Sequence, residues 1–326
     1  MQTYLNETGV PLSVAVYLAA DHYDHLPGVF SATALMKSVR QQVLPRRIEP
    51  GTRDSQVDVL NVVKSRLGTS IHDGLERAWQ KENYTKALLS LGHPQHIIDR
   101  IVVNPEGPIA ADAIPVYMEI RSFGEIDGRK ISGKFDFVAE GRLEDFKSTS
   151  TFTWVKETKT KDYMIQGSIY RWLNQDIITE DHIAIQFFFM DWMQGRAKAD
   201  PAYPQRQVEE QRIPLMSLDD TEDYMRTKLN LFEQYKDSPE HELPGCTDYE
   251  LWRKEPQFKY YKNPLKRARS TKNFDTLEEA ETRCVADGSV GVVVTIPGEV
   301  MACNYCAAAP ICSQRDALIA DGSLII

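Results

Sequence analysis

The chain has 326 residues, 42% of them apolar, and a formal net charge of −9. This length and apolar share suffice for one large domain or two modest ones around a sizeable core. The acidic balance excludes a protein that coats nucleic acid with its whole surface, though not one with a local basic groove.

Residues 1–30 read as an irregular or partly helical lead-in. It contains "DHYDH", Asp21 to His25, which has metal-ligand residue types but no supporting pattern. Its apolar run "PLSVAVYLAA" is short of the roughly 18 residues of a membrane span, and no basic stretch precedes it. No membrane partner and no signal peptide are therefore expected, and the cytoplasm is the expected compartment. "SATALMKSVRQQVL" starts at Ser31, a helix-capping residue type, and has helical spacing. From Asp54 to about Gln80, Val59, Val62, Val63, Leu67, Ile71, Leu75 and Trp79 recur at helical steps. "NYTKALLSL" and "PQHIIDRIV" predict two short helices. "IPVYMEIRSF", "KISGKFDFVA" and "RLEDFKST" then alternate between turns and predict three antiparallel strands. A helix over "KDYMIQGSIYRWLN", a buried strand over "HIAIQFFFMDW", a strand over "QRQVEEQRIPL" and a helix from Ser217 to Lys236 follow. Residues 237–273 have little periodicity; beyond them come a helix over "TLEEAETRCVADG" and a strand over "VGVVVTIPG". The expectation is an α/β fold with a mixed central sheet flanked by helices. Its expected parts are a helical region over 1–105, a core over 106–236 and a C-terminal region over 237–326.

The chemistry concentrates in "GKFDFVAEGRLEDFKST". Asp145 and Lys147 are two residues apart on a strand, so both leave the same face, whereas Glu144 has the opposite parity. Asp136 lies across the Glu140-Gly141 turn and can be brought near them. Such carboxylates suit hard Mg²⁺ or Mn²⁺. An isolated D…D-x-K is more often a solvated sheet face. Here, however, His72 of "GTSIHDGLERAW" precedes it on a helix, and Gln166 and Tyr170 share a helix face after it.

In this order, G-T-x-x-H, an acid, D-x-K and Q-x-x-x-Y resemble the PD-(D/E)xK nucleases, specifically the RecB-like branch. The resemblance implies a restriction-endonuclease-like core and a stand-alone phage or bacterial exonuclease. It spans roughly residues 30–190 together with the terminal cysteines. The usual Pro before the first acid is replaced by Phe135. By position, His72, Asp136 and Asp145 would be ligands of Mg²⁺ or Mn²⁺, with the Phe146 carbonyl, and Glu119 an acid that supports those ligands or serves a second metal. Lys147 would position or polarise the attacking water, and Gln166 and Tyr170 would contact phosphate or buttress the site. The expected substrate is DNA, linear with free ends, in recombination, repair or phage DNA processing, with a recombination or replication protein as a candidate partner. A non-cutting DNA-end binding protein on the same fold is the alternative.

"CNYCAAAPIC" places Cys303, Cys306 and Cys312 within ten residues. A four-thiolate site needs one more, and Cys246, among loop-type residues, is preferred to Cys284, which sits in a helical pattern. Four thiolates suit Zn²⁺ or an iron–sulfur cluster. The resemblance implies a 4Fe–4S cluster, since members of that branch use this C-x-x-C-x5-C spacing. They place their first ligand before the core, where this chain has no cysteine. "KYYKNPLKRARSTK" (259–272) carries six Lys/Arg and no acid. Lys259, Lys262, Lys266 and Arg267 are candidate phosphate contacts, with Tyr260 for base stacking. Lys159, Lys161 and Arg171 flank the Gln166 helix as further candidates. "GRKISGK" has phosphate-loop spacing but continues into Phe135 and a strand, so it is rejected as a nucleotide site.

Overall fold

The computed structural model describes residues 3–20 and 26–325, so "DHYDH" lies outside the described residues. The fold is mixed α/β. The chain divides into two compact units, Met1–Met36 with Gln56–Asn230, and Lys37–Ser55 with Leu231–Ile326. This differs from the three segments expected. The helix bearing His72 joins the sheet unit because Leu75 and its neighbour Trp79 pack against Val116, Met118, Phe137 and Phe146. Residues 37–55 join the C-terminal unit, where the buried guanidinium of Arg40 binds the Leu243 and Glu240 carbonyls at 2.9 and 3.3 Å.

The first unit is built on a six-stranded mixed sheet. In spatial order its strands are Val208–Pro214, His182–Phe189, Arg142–Thr149, Phe137–Ala139, Ile114–Met118 and Ile101–Val103. Arg142–Thr149 runs parallel to His182–Phe189 and antiparallel to Phe137–Ala139. Alternation places Ile183, Ile185, Phe187 and Phe189 together in the main core with Leu143, Ile165 and Ile169. Each large apolar side chain so buried stabilises by roughly 1.5–3 kcal/mol. A smaller sheet joins Val29–Ser31, Arg129–Lys134 and Arg121–Ile126.

Two of the runs expected to be single strands are broken, at Glu119 and at Phe135-Asp136. "IPVYMEIRSF" turns at Glu119, whose φ is 52°, and passes from the six-stranded sheet to the three-stranded one. "KISGKFDFVA" makes the reverse passage at Phe135-Asp136. The two breaks are bonded to each other, Glu119 N–H donating to the Asp136 carbonyl at 3.1 Å. A left-handed conformation at a non-glycine residue is strained and persists only where its surroundings enforce it. Asn104 does so here, accepting from Met118 N at 2.8 Å and donating to Met118 O at 3.1 Å.

The turn from Phe137–Ala139 into Arg142–Thr149 has positive φ at both Glu140 and Gly141, 51° and 83°. That pair of values matches the twist of a two-residue hairpin and fixes the register Phe137↔Glu144. The second unit holds an antiparallel sheet of Lys272–Phe274, Gln257–Tyr261 and Val292–Ile296, with helix Leu277–Ala286. The first two strands lie in the stretch whose sequence showed little periodicity. Among the described residues, no helix is long and apolar enough to cross a membrane.

Candidate active site

His72 sits on helix Val63–Ala78, which comes close to the Asp145 strand at Gly68. A β-carbon at Gly68 would lie 3.2 Å from Ser148 Oγ, so a glycine there lets the helix lower His72 onto the strand. His72 Nε2 lies 3.1 Å from the Phe146 carbonyl oxygen. Its Nδ1 is 3.4 Å from Glu119 Oε1 and 3.6 Å from Asp136 Oδ1. His72, Glu119 and Asp136 each offer a ligand atom, all within 4.8 Å of one another, and can hold a metal ion. Asp136 is buried and accepts from the Phe146 N–H at 2.8 Å.

Asp145 is 0% exposed, and neither of its carboxylate oxygens accepts a well-directed hydrogen bond. Its compensation is an ion pair with the Lys147 ammonium on the same strand face. Glu144 points to the other face, accepting from Gln186 Nε2 at 2.9 Å. Asp136 has one backbone donor and Asp145 has only the Lys147 ammonium, and buried carboxylates compensated so sparsely are costly unless a cation completes them. Oxygen ligands with one imidazole suit a hard divalent ion, so the residues present fit Mg²⁺ or Mn²⁺.

The electrostatics agree with such a site. Burial, then the charge of Asp145, pushes the Asp136 carboxyl up to about 7. Burial alone would lower the His72 imidazole, but the Glu119 hydrogen bond and the Asp136 charge raise it above its ordinary value. Burial likewise opposes the charge on Lys147, yet Asp145 and Asp136 outweigh it and hold the ammonium protonated well above the usual lysine range. Burial raises the Tyr170 phenol, so it stays protonated. Gln166 Nε2 donates to Tyr170 Oη at 2.8 Å, leaving the phenolic proton to be given elsewhere.

His72, Glu119, Lys147 and Tyr170 line a cleft of about 990 Å³, whereas Asp136, Asp145 and Gln166 are not among its lining residues. Lys64, Arg66, Arg121 and Lys134 also line it, and the sequence reading did not single them out. Lys64 lies two helical turns before His72, so projection along that helix face was the available signal. Lys134 pairs with Glu119 at 2.6 Å.

Some expected DNA contacts are placed otherwise. Lys159, Lys161 and Arg171 do not line this cleft. Lys159 pairs with Asp162 at 3.0 Å, and Arg171 donates to the Met216 carbonyl. Tyr260 is fully buried, with its hydroxyl on Asp287 Oδ2 at 3.1 Å, and has no face for a base. Lys262, Lys266 and Arg267 are exposed and Lys259 is half-buried, all in the second unit.

In that unit Cys246, Cys303, Cys306 and Cys312 line one cavity, and Cys284 does not. All five cysteines are free thiols. Among the described residues no three of the sulfurs lie mutually within 4.8 Å. A tetrahedral zinc site, with Zn–S near 2.3 Å, needs them at about 3.8 Å. Ser38 Oγ lies 3.2 Å from Cys246 Sγ, and the buried Arg40 guanidinium reaches Cys312 Sγ at 3.7 Å. Residues that precede the sheet core therefore touch the cavity, although none of them is a cysteine.

No family model matches the chain, and no curated protein matches it. Among solved structures, the crystal structure of SSO0001 is 15% identical, covers 72% of this chain and 88% of its own, and has a TM-score of 0.37. A phage-related exonuclease from Haemophilus somnus 129PT is 15% identical over 66% of this chain and 95% of its own, with a TM-score of 0.30. Likenesses this distant say nothing about activity, which rests on the chain's own residues.

Proposed function

We propose that the chain is a Mg²⁺- or Mn²⁺-dependent deoxyribonuclease of the exonuclease type, acting in DNA recombination, repair or phage DNA processing. The observation that carries this reading is the meeting of His72, Asp136 and the Phe146 carbonyl beside the buried Asp145–Lys147 pair. His72, Asp136, Asp145 and the Phe146 carbonyl would hold the ion, with Glu119 as a further acid. When bound, such an ion orients the scissile phosphate and makes its water a nucleophile near neutral pH.

The chain's own residues do the rest. Lys147 is held protonated by Asp145 and Asp136. It therefore acts as a donor, aligning the attacking water or offsetting charge on a phosphoryl oxygen, and not as the proton acceptor. Tyr170, fixed through Gln166, offers its phenolic proton to a phosphate oxygen. Lys64, Arg66, Arg121 and Lys134 give the cleft the cations that a polyanion requires, despite the acidic balance of the chain.

The cysteine cavity is proposed to hold a 4Fe–4S cluster on Cys246, Cys303, Cys306 and Cys312. A common cavity, no three sulfurs mutually within 4.8 Å among the described residues, a Ser38 hydroxyl within hydrogen-bond reach of Cys246 Sγ and the Arg40 guanidinium donating to Cys312 Sγ support this over zinc. The cluster would fasten the C-terminal segment to Cys246 and has no part in hydrolysis.

Digestion of end-labelled linear DNA and covalently closed circles, with Mg²⁺ and with Mn²⁺, tests the activity. Linear DNA is expected to be consumed while circles persist. Equal attack on circles would make the enzyme an endonuclease, and no cleavage of either with either metal would end the reading.

A further inference from the structure

The second unit exposes one apolar side chain more than any other among the described residues, Leu265 at 94%. A lone exposed leucine is ordinary; the setting of this one is not. It occupies the corner of a tight turn, Asn263-Pro264-Leu265-Lys266, closed by Lys266 N–H on the Asn263 carbonyl at 3.1 Å. Proline presets the first corner of such a turn, and an Asn side chain at its start reinforces it. Asn263 Oδ1 accepts from Leu265 N at 3.0 Å, and Arg267 Nε donates to the Pro264 carbonyl at 2.9 Å. The base of the loop is tied by Lys262 N to Thr271 Oγ1 at 2.9 Å and by Thr271 N to the Tyr260 carbonyl at 2.8 Å. The loop is thus ordered before any ligand arrives, so little further entropy is lost on binding.

Lys266, Arg267 and Arg269 follow that corner in sequence and Lys262 precedes it, all exposed; no acid occurs in the sequence from Lys259 to Phe274, and Lys262 Nζ lies 4.0 Å from Asp287 Oδ2. A cationic rim selects a polyanion, and an aliphatic tip selects something apolar within it. Base steps of duplex DNA meet both demands, as in proteins that push a leucine or similar side chain between base pairs. Stacking of single-stranded bases needs an aromatic face, and the nearby Tyr260 and Tyr261 are buried.

We propose that this loop is a wedge for duplex DNA, with the cations on phosphates and Leu265 entering a base step. The inference rests on the nuclease reading and adds the state of its substrate. The test is binding of the full chain, made non-cutting by Asp136→Asn, to a duplex with 2-aminopurine near its end, across a salt series. Leu265→Ala is expected to weaken binding about fivefold or more, leave the salt slope unchanged and abolish the 2-aminopurine fluorescence rise. Lys266→Ala with Arg267→Ala should weaken binding and flatten the slope by about two phosphate contacts at ~0.9 each. Unchanged duplex affinity and fluorescence in Leu265→Ala overturns the wedge, including in the case that the loop serves an acidic protein instead. If the parent protein binds no DNA, the nuclease reading itself fails, which is a separate result.

Discussion

Asp136→Asn is expected to lower metal-dependent cleavage by about 10³-fold or more while making the metal-free protein more stable. The two effects share one cause. Asp136 is buried beside Asp145, and burial followed by that neighbouring charge raises its carboxyl to about 7. Asparagine preserves an oxygen for the Phe146 N–H, which Asp136 Oδ2 accepts at 2.8 Å, and removes the charge. Removing the charge relieves both its desolvation and its repulsion by Asp145. The metal-free variant is therefore expected to melt above wild type. Mn²⁺ should raise the wild-type melting temperature and leave the variant's nearly unmoved, because the ion stabilises only a state it binds. Calorimetric melts with and without Mn²⁺ check this. A variant less stable than wild type without metal would show that the buried acids are structural.

Cys312→Ala is expected to remove the visible absorbance of anaerobically purified protein. It should also destabilise the second unit by at least about 3 kcal/mol, as loss of a ligated centre does. Cys312 is buried on the cavity and takes the Arg40 guanidinium at 3.7 Å. Cys284→Ala is the matched control, since Cys284 lies on helix Leu277–Ala286 and does not line the cavity. Iron and sulfide analysis with limited proteolysis of both variants separates the cases. Equal losses in the two variants, or iron-free wild-type protein, would contradict a cluster on these four cysteines.

Much of the site was legible because strand parity and helix spacing are local rules. Parity placed Asp145 with Lys147 and set Glu144 aside, and four-residue spacing joined Gln166 to Tyr170. The break at Glu119 was not legible. Nothing in "YMEI" announces a left-handed glutamate, because the bracing comes from Asn104, on a segment distant in sequence. That break carries Glu119 against His72 and Asp136. Tyr260 was misplaced for a related reason: its stretch shows little periodicity, so nothing local announced that it forms strand Gln257–Tyr261 with the tyrosine ring fully buried. The assignment of residues 37–55 to the C-terminal unit depends on hydrogen bonds such as Arg40 to Leu243, across about 200 residues of chain, which no window of sequence displays.

The Asp145–Lys147 strand with His72 and Asp136 is proposed to hydrolyse DNA with a divalent ion. Release of end label from linear DNA by wild-type and Lys147→Ala protein, side by side with Mn²⁺ and with chelator, tests it most directly. The predicted result is release by wild type with Mn²⁺ alone, and a rate at least about 10³-fold lower in a folded Lys147→Ala protein. Release that persists in chelator, or a Lys147→Ala rate equal to wild type, would contradict it.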